Sequence, residues 1–104
     1  MYLERMPLPK GKWIANYAVS DVAEYDKYRA AVAAYLTANN ARFLIRAGSQ
    51  QVMEGTAHPR TIVIEFPSYE DAMNCYNSAE YQEIRKIRLG ASDINLIIVE
   101  GYDG

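Results

Sequence analysis

Four short segments of this chain have the alternating side-chain pattern of β-strands, and they carry apolar side chains on both faces. Only two segments have a helical pattern. Two helices cover one face of a four-stranded sheet and leave the other face without cover from the chain itself. This mismatch between apolar sheet surface and helical cover limits the folds open to the chain. The predicted strands are Lys12 to Val19, Arg42 to Arg46, Thr61 to Phe66 and Ile94 to Glu100.

The two helices are predicted from capping residues and from apolar side chains three and four positions apart. Asp21 begins the first helix, with Glu24 placed to complete a capping box, and Asn39-Asn40 ends it. Ser68 begins the second helical segment, which we interpret as one broken helix from Ser68 to Leu89, with Ser78 as an internal cap. The apolar stripe of the first helix is Tyr25, Tyr28, Val32, Tyr35 and Leu36.

The order strand, helix, strand, strand, helix, strand predicts an α+β fold of the ferredoxin-like βαββαβ type. Its sheet has four antiparallel strands, with both helices on one face. Pro7, Pro9 and Gly11 predict a flexible N-terminal arm over residues 1–11, which leaves residues 12–104 as one ferredoxin-like domain.

Strand alternation assigns each apolar residue to one of the two sheet faces. The helix-facing set is predicted to be Phe43, Ile45, Ile62, Ile64 and Phe66. The opposite face has an area of roughly 350 Å² at normal strand spacing, which is near the limit for a soluble monomer. We therefore expect a homodimer paired through the sheet faces. The set predicted on this second face is Arg42, Leu44, Arg46, Thr61, Val63 and Glu65.

Charged residues on that second face indicate either an ion pair or a polar site. Arg46 and Glu65 are predicted to pair, within the chain or across the dimer, because a buried charge is costly without a partner. One interpretation is a structural pair that fixes strand register. The other is a small polar cavity for an anion or a carbonyl group, which Asn16 would share.

Further candidates lie in the broken helix and in the turn before the third strand. Tyr76, Tyr81 and either Arg85 or Arg88 are predicted to line the mouth of a pocket where the broken helix meets the sheet, although the favoured interpretation is that Ser78 simply caps the segment there. His58 is the only histidine and cannot form a metal site alone. Cys75 lies in an apolar helical stripe and is interpreted as a small buried hydrophobe rather than a nucleophile.

The composition excludes several classes of protein. The net charge of −2 and the absence of a dense basic run argue against nucleic-acid binding. No apolar run approaches the length of a membrane span, and one cysteine excludes an internal disulfide. These features predict a cytoplasmic protein without a membrane partner, and no motif indicates a cofactor or a metal.

Several short motifs, in order, resemble the domain of unknown function 1330 family of the dimeric α/β-barrel superfamily. The resemblance implies a ferredoxin-like protomer paired through its sheets and no assigned reaction. One departure is Ala47, where the family pattern usually has the first glycine of a Gly-Gly pair. The motifs are Lys12 to Asn16, Arg42 to Gly48, Glu54-Gly55, Glu65 to Ser68, Tyr76 to Tyr81 and Val99 to Gly101.

The sequence thus predicts a homodimer of unassigned activity that holds a small organic ligand. The ligand-binding candidates are Asn16, Arg46, Glu65, Tyr76, Tyr81 and Arg88. A first alternative is a cofactor-independent enzyme, of monooxygenase or isomerase type, that acts on a small carbonyl or aromatic compound. A second alternative is a structural assembly module.

Overall fold

The computed structural model describes residues 8–102, so most of the predicted N-terminal arm lies outside the described residues. Within this range the fold is α+β, with one four-stranded antiparallel sheet and three α-helices. The sheet is open, in the order β2-β3-β1-β4, and does not close into a barrel. The elements are β1 (Gly11–Val19), α1 (Val22–Ala38), β2 (Arg42–Arg46), β3 (Arg60–Phe66), α2 (Tyr69–Asn77), α3 (Ala79–Arg85), a 3₁₀ turn (Lys86–Arg88) and β4 (Ser92–Glu100).

Helix α1 begins where the sequence predicts, but its cap is simpler than a capping box. The Glu24 backbone N–H donates to Asp21 Oδ1 over 3.1 Å. The Glu24 carboxylate does not return the bond, because it accepts from Lys27 Nζ at 2.8 Å, and the Asp21 N–H donates to the Ala91 carbonyl at 3.1 Å. The N-terminus of α1 is therefore tied to the segment before β4. Asn40, with φ of 61°, ends the helix as predicted.

The second helical segment is two α-helices and a 3₁₀ turn rather than one broken helix. Ser68 caps α2 by accepting from the Asp71 N–H at 3.0 Å. Ser78 separates α2 from α3, and its Oγ accepts from the Tyr81 N–H at 3.1 Å while it donates to the Cys75 carbonyl at 2.8 Å. A single serine hydroxyl thus ends one helix and begins the next.

The central strand β1 pairs with both β3 and β4, and its alternate residues form the core on the helix side. Trp13 and Tyr17 are almost fully buried there. Trp13 packs against Phe66 with ring centroids 5.0 Å apart, and its indole N–H donates to the Ala72 carbonyl at 2.9 Å. This hydrogen bond satisfies the buried donor and fixes α2 against the sheet.

Gly11 belongs to β1 rather than to the predicted arm. It pairs with Phe66 on one side and with Glu100 on the other. A Cβ atom at this position would lie 2.3 Å from the Ser68 carbonyl oxygen, so the approach of the strand to the start of α2 requires glycine. The prolines and glycine in the first eleven residues therefore do not mark a single loose segment.

A β-bulge in β2 changes which face two predicted residues occupy. Phe43 pairs with Ile64, but the next pairs are Ile45 with Val63 and Arg46 with Ile62. The extra residue between Phe43 and Ile45 shifts the alternation by one position. Ile45 therefore lies on the face without helices and Arg46 on the helix side, which is the reverse of the prediction.

The predicted ion pair between Arg46 and Glu65 is consequently wrong within the chain. Glu65 lies on the face without helices, where its carboxylate accepts from Arg42 Nε at 3.0 Å and lies 3.5 Å from Lys12 Nζ. Arg46 instead places its guanidinium over the Phe43 ring, 4.2 Å from the centroid. The bulge therefore places the charge of Arg46 on the helix side of the sheet, away from Glu65.

We call the sheet surface without helices the open face. One apolar row crosses all four strands in register on this face, with Ile45 opposite Val63, Val63 opposite Ile14, and Ile14 opposite Ile97. Two residues of the row, Ile45 and Ile97, are 47% and 56% exposed. The apolar second face inferred from the sequence is therefore present, with Ile45 in place of Arg46.

Replacing Ala47 by glycine should stabilise the fold by about 0.5–1 kcal/mol. Ala47 has φ of 55°, a left-handed conformation that is costly for residues with a Cβ and that glycine adopts readily. Urea unfolding of A47G measures the change. The control A34G lies at an exposed site inside α1 and should lose about 1 kcal/mol. Equal effects of the two substitutions would contradict the assignment of strain to Ala47.

Glu65→Gln should lower the free energy of unfolding by about 0.5–1 kcal/mol at neutral pH. The hydrogen bond from Arg42, aided by the charges of Arg42 and Lys12, holds the pKa of Glu65 below its usual range. A lowered pKa stabilises the folded state above the unfolded value of about 4.3, and this stability is lost as the pH falls below it.

The difference between wild type and E65Q should therefore be full above about pH 5 and should shrink at lower pH, as measured by urea unfolding across that range. The control E83Q breaks an exposed pair with Lys86 and should change stability by about 0.3 kcal/mol. A loss in E65Q that stays constant down to pH 3 would contradict the charge pairing.

Candidate functional site

A cavity of about 300 Å³ lies between the helix side of the sheet and α1. Its floor comes from β1, β3 and β4, its roof from α1, and its mouth from the end of β2 and the start of β3. Helix α1 lines the cavity with four residues of its apolar stripe and with Arg29. The lining residues are Trp13, Ala15, Tyr17, Tyr25, Tyr28, Arg29, Val32, Leu36, Phe43, Arg46, Ala47, Arg60, Ile62, Ile64, Ile94 and Leu96.

Apart from three arginines, the walls consist of aliphatic and aromatic side chains. Tyr17 and Tyr25 stack with centroids 5.4 Å apart, and Tyr28 lies 5.4 Å from Tyr25 in a tilted arrangement. Burial raises the pKa of Tyr25 and of Tyr28 well above the ordinary value, and the neighbouring hydroxyls of Tyr17 and Tyr81 add to the effect. These phenols therefore stay protonated and offer flat apolar surface with hydroxyl groups at the edges.

A second aromatic layer supports the cavity wall from behind. The Tyr28 and Tyr81 hydroxyls lie 2.8 Å apart, and Trp13 packs edge-on against Tyr81 at 5.0 Å and Tyr76 at 5.8 Å. The buried Arg88 guanidinium lies 5.5 Å from the Tyr28 ring centroid. Arg88 Nε has no hydrogen-bond partner among the described residues.

Three arginines from three different elements surround the mouth: Arg29 of α1, Arg46 of β2 and Arg60 of β3. Arg29 Nη1 lies 3.5 Å from Asp26 Oδ1, and its guanidinium is 5.6 Å from the Tyr25 ring centroid. No acidic side chain is among the described residues that line the cavity. The site is thus apolar inside and positively charged at its entrance.

Only one of the six residues predicted from the sequence, Arg46, lines this cavity. Tyr76, Tyr81 and Arg88 lie in the supporting layer behind it. Asn16 and Glu65 point to the open face, on the far side of the sheet. The three predicted polarising groups of the enzyme alternative, Arg46, Glu65 and Asn16, are therefore not brought together in the described chain.

Asn16 holds the loop before β3 against the open face. Its amide nitrogen donates to the carbonyls of His58 at 3.0 Å and Arg60 at 2.9 Å, and its oxygen accepts from the His58 N–H at 2.8 Å. The His58 imidazole lies 3.6 Å from the Asp93 carboxylate, at the end of β4 that borders this loop. These contacts give both Asn16 and His58 a structural role outside the cavity.

Cys75 is buried in α2, and burial raises the pKa of its thiol to about 11. The thiol therefore stays neutral at ordinary pH, which agrees with the interpretation of Cys75 as a small buried hydrophobe. Within residues 8–102, no group of three or more His, Cys, Asp or Glu side chains is arranged to hold a metal ion. None of the helices in the same range is both long enough and apolar enough to cross a bilayer.

The sequence contained signals for two of the missed site residues. Arg29 stands four positions after Tyr25, on the same side of the predicted helix, and Arg60 has the same strand parity as Ile62 and Ile64. Both could have been assigned to the helix side from spacing alone. The cavity itself had no signal, because its volume depends on how closely α1 approaches the sheet.

Comparison with solved structures gives the same fold at low sequence identity. A protein of unknown function from Rhodopseudomonas palustris has a TM-score of 0.74 at 13% identity, over 92% of this chain and 85% of that one. A dimeric protein of unknown function with a ferredoxin-like fold, from Bacteroides fragilis, has a TM-score of 0.59 at 13% identity, over 91% and 99%.

A third similar structure is SnoaB from Streptomyces nogalater, described as a cofactor-independent oxygenase. Its TM-score is 0.58 at 9% identity, over 92% of this chain and 96% of that one. At these identities the likeness establishes the ferredoxin-like fold and nothing about activity. No curated protein sequence matches the chain.

The family assignment comes from the sequence of nearly the whole described domain. The model of the family described as a domain of unknown function (DUF1330) matches residues 10–102. This range includes every strand and helix of the structure, the cavity and the open face. The chain therefore belongs to the DUF1330 family, as its motifs indicate.

Proposed function

We propose that the protein is a homodimer that binds a small, largely apolar organic molecule in the cavity between the sheet and α1. The observation that carries the proposal is the cavity itself, which is lined by aromatic and aliphatic side chains and has a volume of about 300 Å³. Ligand sites in proteins are typically concave, apolar and of roughly 300–1,000 Å³.

The volume also suggests the size of the ligand. An apolar protein cavity of about 150 Å³ is large enough to hold benzene, so twice that volume suits a molecule of about two fused rings. The aromatic side chains among the lining residues give the cavity a composition that suits an aromatic ring system. A planar bicyclic compound is thus the model ligand of choice.

A cofactor-independent enzyme is the second candidate. The observation in its favour is the hydroxyl pair of Tyr28 and Tyr81, 2.8 Å apart, because Tyr28 lines the cavity and a neutral phenol can donate a hydrogen bond to the oxygen of a bound carbonyl compound. The fold shared with an oxygenase supports this only as analogy. Mass spectrometry of the compound recovered after binding separates an enzyme, which changes it, from a binding protein, which does not.

The homodimer is supported by the open face. Its apolar row is bordered by a row of alternating charge, formed by Arg42, Glu65 and Lys12, so that a second copy could meet it with both apolar and charged contacts. The loop between β2 and β3 is hydrogen-bonded to Asn16 of this face through His58 and contains the exposed apolar residues Val52 and Met53. A stable interface buries about 800 Å² on each partner, which the face and the loop together could supply.

A homodimer built in this way would bring two open sheets together, which is the arrangement that the name dimeric α/β barrel describes. A two-fold axis is expected, because one surface patch then meets its own copy. A cytoplasmic location stays a prediction from the sequence, supported by the single thiol of Cys75, which forms no disulfide within the chain. If the cavity binds no ligand, the remaining hypothesis is a structural assembly module.

We expect the neutral probe N-phenyl-1-naphthylamine to bind in the cavity with energy transfer from Trp13, the only tryptophan and a lining residue. Ala15→Leu fills the cavity and should weaken binding at least about tenfold, since the leucine occupies ligand space. The control Ala18→Leu adds the same group to the same strand on the open face. Fluorescence titration measures both, and equal affinities in the two variants would contradict binding in the cavity.

Sedimentation equilibrium should find a dimer at micromolar concentration, and Ile97→Lys should weaken it by at least about 100-fold, because a buried charge would interrupt the apolar row. Ile97 is 56% exposed in the single chain, so a folded protomer tolerates the lysine. The control Val22→Lys changes a residue that is 65% exposed on α1 and should leave the dimer intact. A wild-type chain that sediments as a monomer would contradict the proposed homodimer.

A further inference from the structure

The charge at the cavity mouth differs in sign from the charge of the whole chain. Arg29, Arg46 and Arg60 place three guanidinium groups around the opening, and Asp26 neutralises one of them. Neither Arg46 nor Arg60 forms an ion pair with a carboxylate among residues 8–102. Among the described residues, the mouth thus has two positive charges without a paired carboxylate, although the whole chain has a net charge of −2. A cleft lined by one sign of charge concentrates ligands of the opposite sign.

The bulge in β2 gives Arg46 its place at this mouth. If the same residues paired without a bulge, Arg46 would lie opposite Thr61 on the open face. With it, the guanidinium plane of Arg46 lies over the Phe43 ring at 4.2 Å. Stacking occupies a face of the guanidinium and leaves the N–H groups at its edge able to bind an anion.

The strand register brings Arg60 close to Arg46. Arg46 is paired with Ile62, and Arg60 precedes Ile62 by two residues on the same face of β3. Two residues in this diagonal relation have Cα atoms about 7–8 Å apart. Long arginine side chains from such positions can converge on one planar, two-oxygen anion, which guanidinium groups bind through paired hydrogen bonds.

The apolar walls and the charged mouth belong to one cavity. They are therefore complementary to a ligand with one apolar end and one charged end. Arg60 is paired with Tyr17 across β1, and Tyr17 is part of the stacked aromatic wall. The positive groups are therefore adjacent to the ring surface rather than on a separate part of the protein. Arginines that only increase solubility are not expected to cluster around an aromatic cavity in an acidic protein.

We propose that the ligand is an aromatic carboxylate of about two fused rings, with the rings against Trp13 and the tyrosines and the carboxylate held by Arg46 and Arg60. This inference rests on the proposed function, since it requires the cavity to bind a ligand. It adds the chemical class of the ligand and assigns two residues that recognise it. Arg29 is already paired with Asp26 and is therefore not assigned to the carboxylate.

Isothermal titration calorimetry with 2-naphthoate and with 2-naphthamide tests the charge requirement. The two compounds have nearly the same shape and differ in charge, so the ratio of their affinities isolates the role of the anion. We expect 2-naphthoate to bind at least about tenfold more tightly to the wild-type chain at low salt, since ion-assisted hydrogen bonds are the stronger ones. Added salt should reduce this ratio.

Arg46→Gln and Arg60→Gln should each lower the affinity for 2-naphthoate by about tenfold and leave the affinity for 2-naphthamide within about twofold. The control Arg42→Gln removes a guanidinium from the same strand on the open face and should change neither affinity. All three arginines are exposed, so the variants should fold, and circular dichroism checks that they do.

The outcomes separate this inference from the proposed function. Equal affinities of the two compounds in the wild-type chain, or a preference for 2-naphthoate that survives both substitutions, would overturn the carboxylate assignment and leave the cavity as a ligand site. Binding of neither these compounds nor the neutral probe would overturn the proposed function, and the inference with it.

Discussion

The alternation of side chains along β1 is the constraint on which the rest of the structure depends. This strand lies in the middle of the sheet and pairs with β3 and β4, so its odd positions, such as Trp13 and Tyr17, must face the helices. Once these rings are buried, the intervening residues, such as Ile14, have to face the opposite side. The core, the aromatic cavity and the open face all follow from this one division.

The two faces of the sheet have different chemical characters. On the helix side, the aromatic side chains are large, and the space that they leave beneath α1 is apolar with a positive entrance. On the open face, the apolar row of Ile45, Val63, Ile14 and Ile97 runs beside the charges of Arg42, Glu65 and Lys12. The first surface has the properties of a ligand site, and the second those of a protein interface.

The sequence predicted what depends on local chemistry and missed what depends on register. Capping by Asp21, Ser68 and Ser78 is confirmed, because each serine or aspartate meets a free N–H three residues later. The predicted face of Arg46 was wrong. No residue pattern in Arg42 to Arg46 predicts a bulge, because the bulge forms only when β2 pairs with β3. The cavity could not be predicted, since it depends on the distance between α1 and the sheet rather than on any motif.

The bulge in β2 has a consequence for how such a protein can evolve. One extra residue places Ile45 on the open face and Arg46 at the cavity mouth, so both assignments share a single backbone irregularity. Regular pairing of the same residues would exchange the two side chains, with Ile45 on the helix side and Arg46 on the open face, whereas deletion of Leu44 would remove the bulge and leave both in place. The bulge therefore couples the two surfaces, because a sequence change that removes it without removing a residue alters the open face and the cavity mouth in the same step.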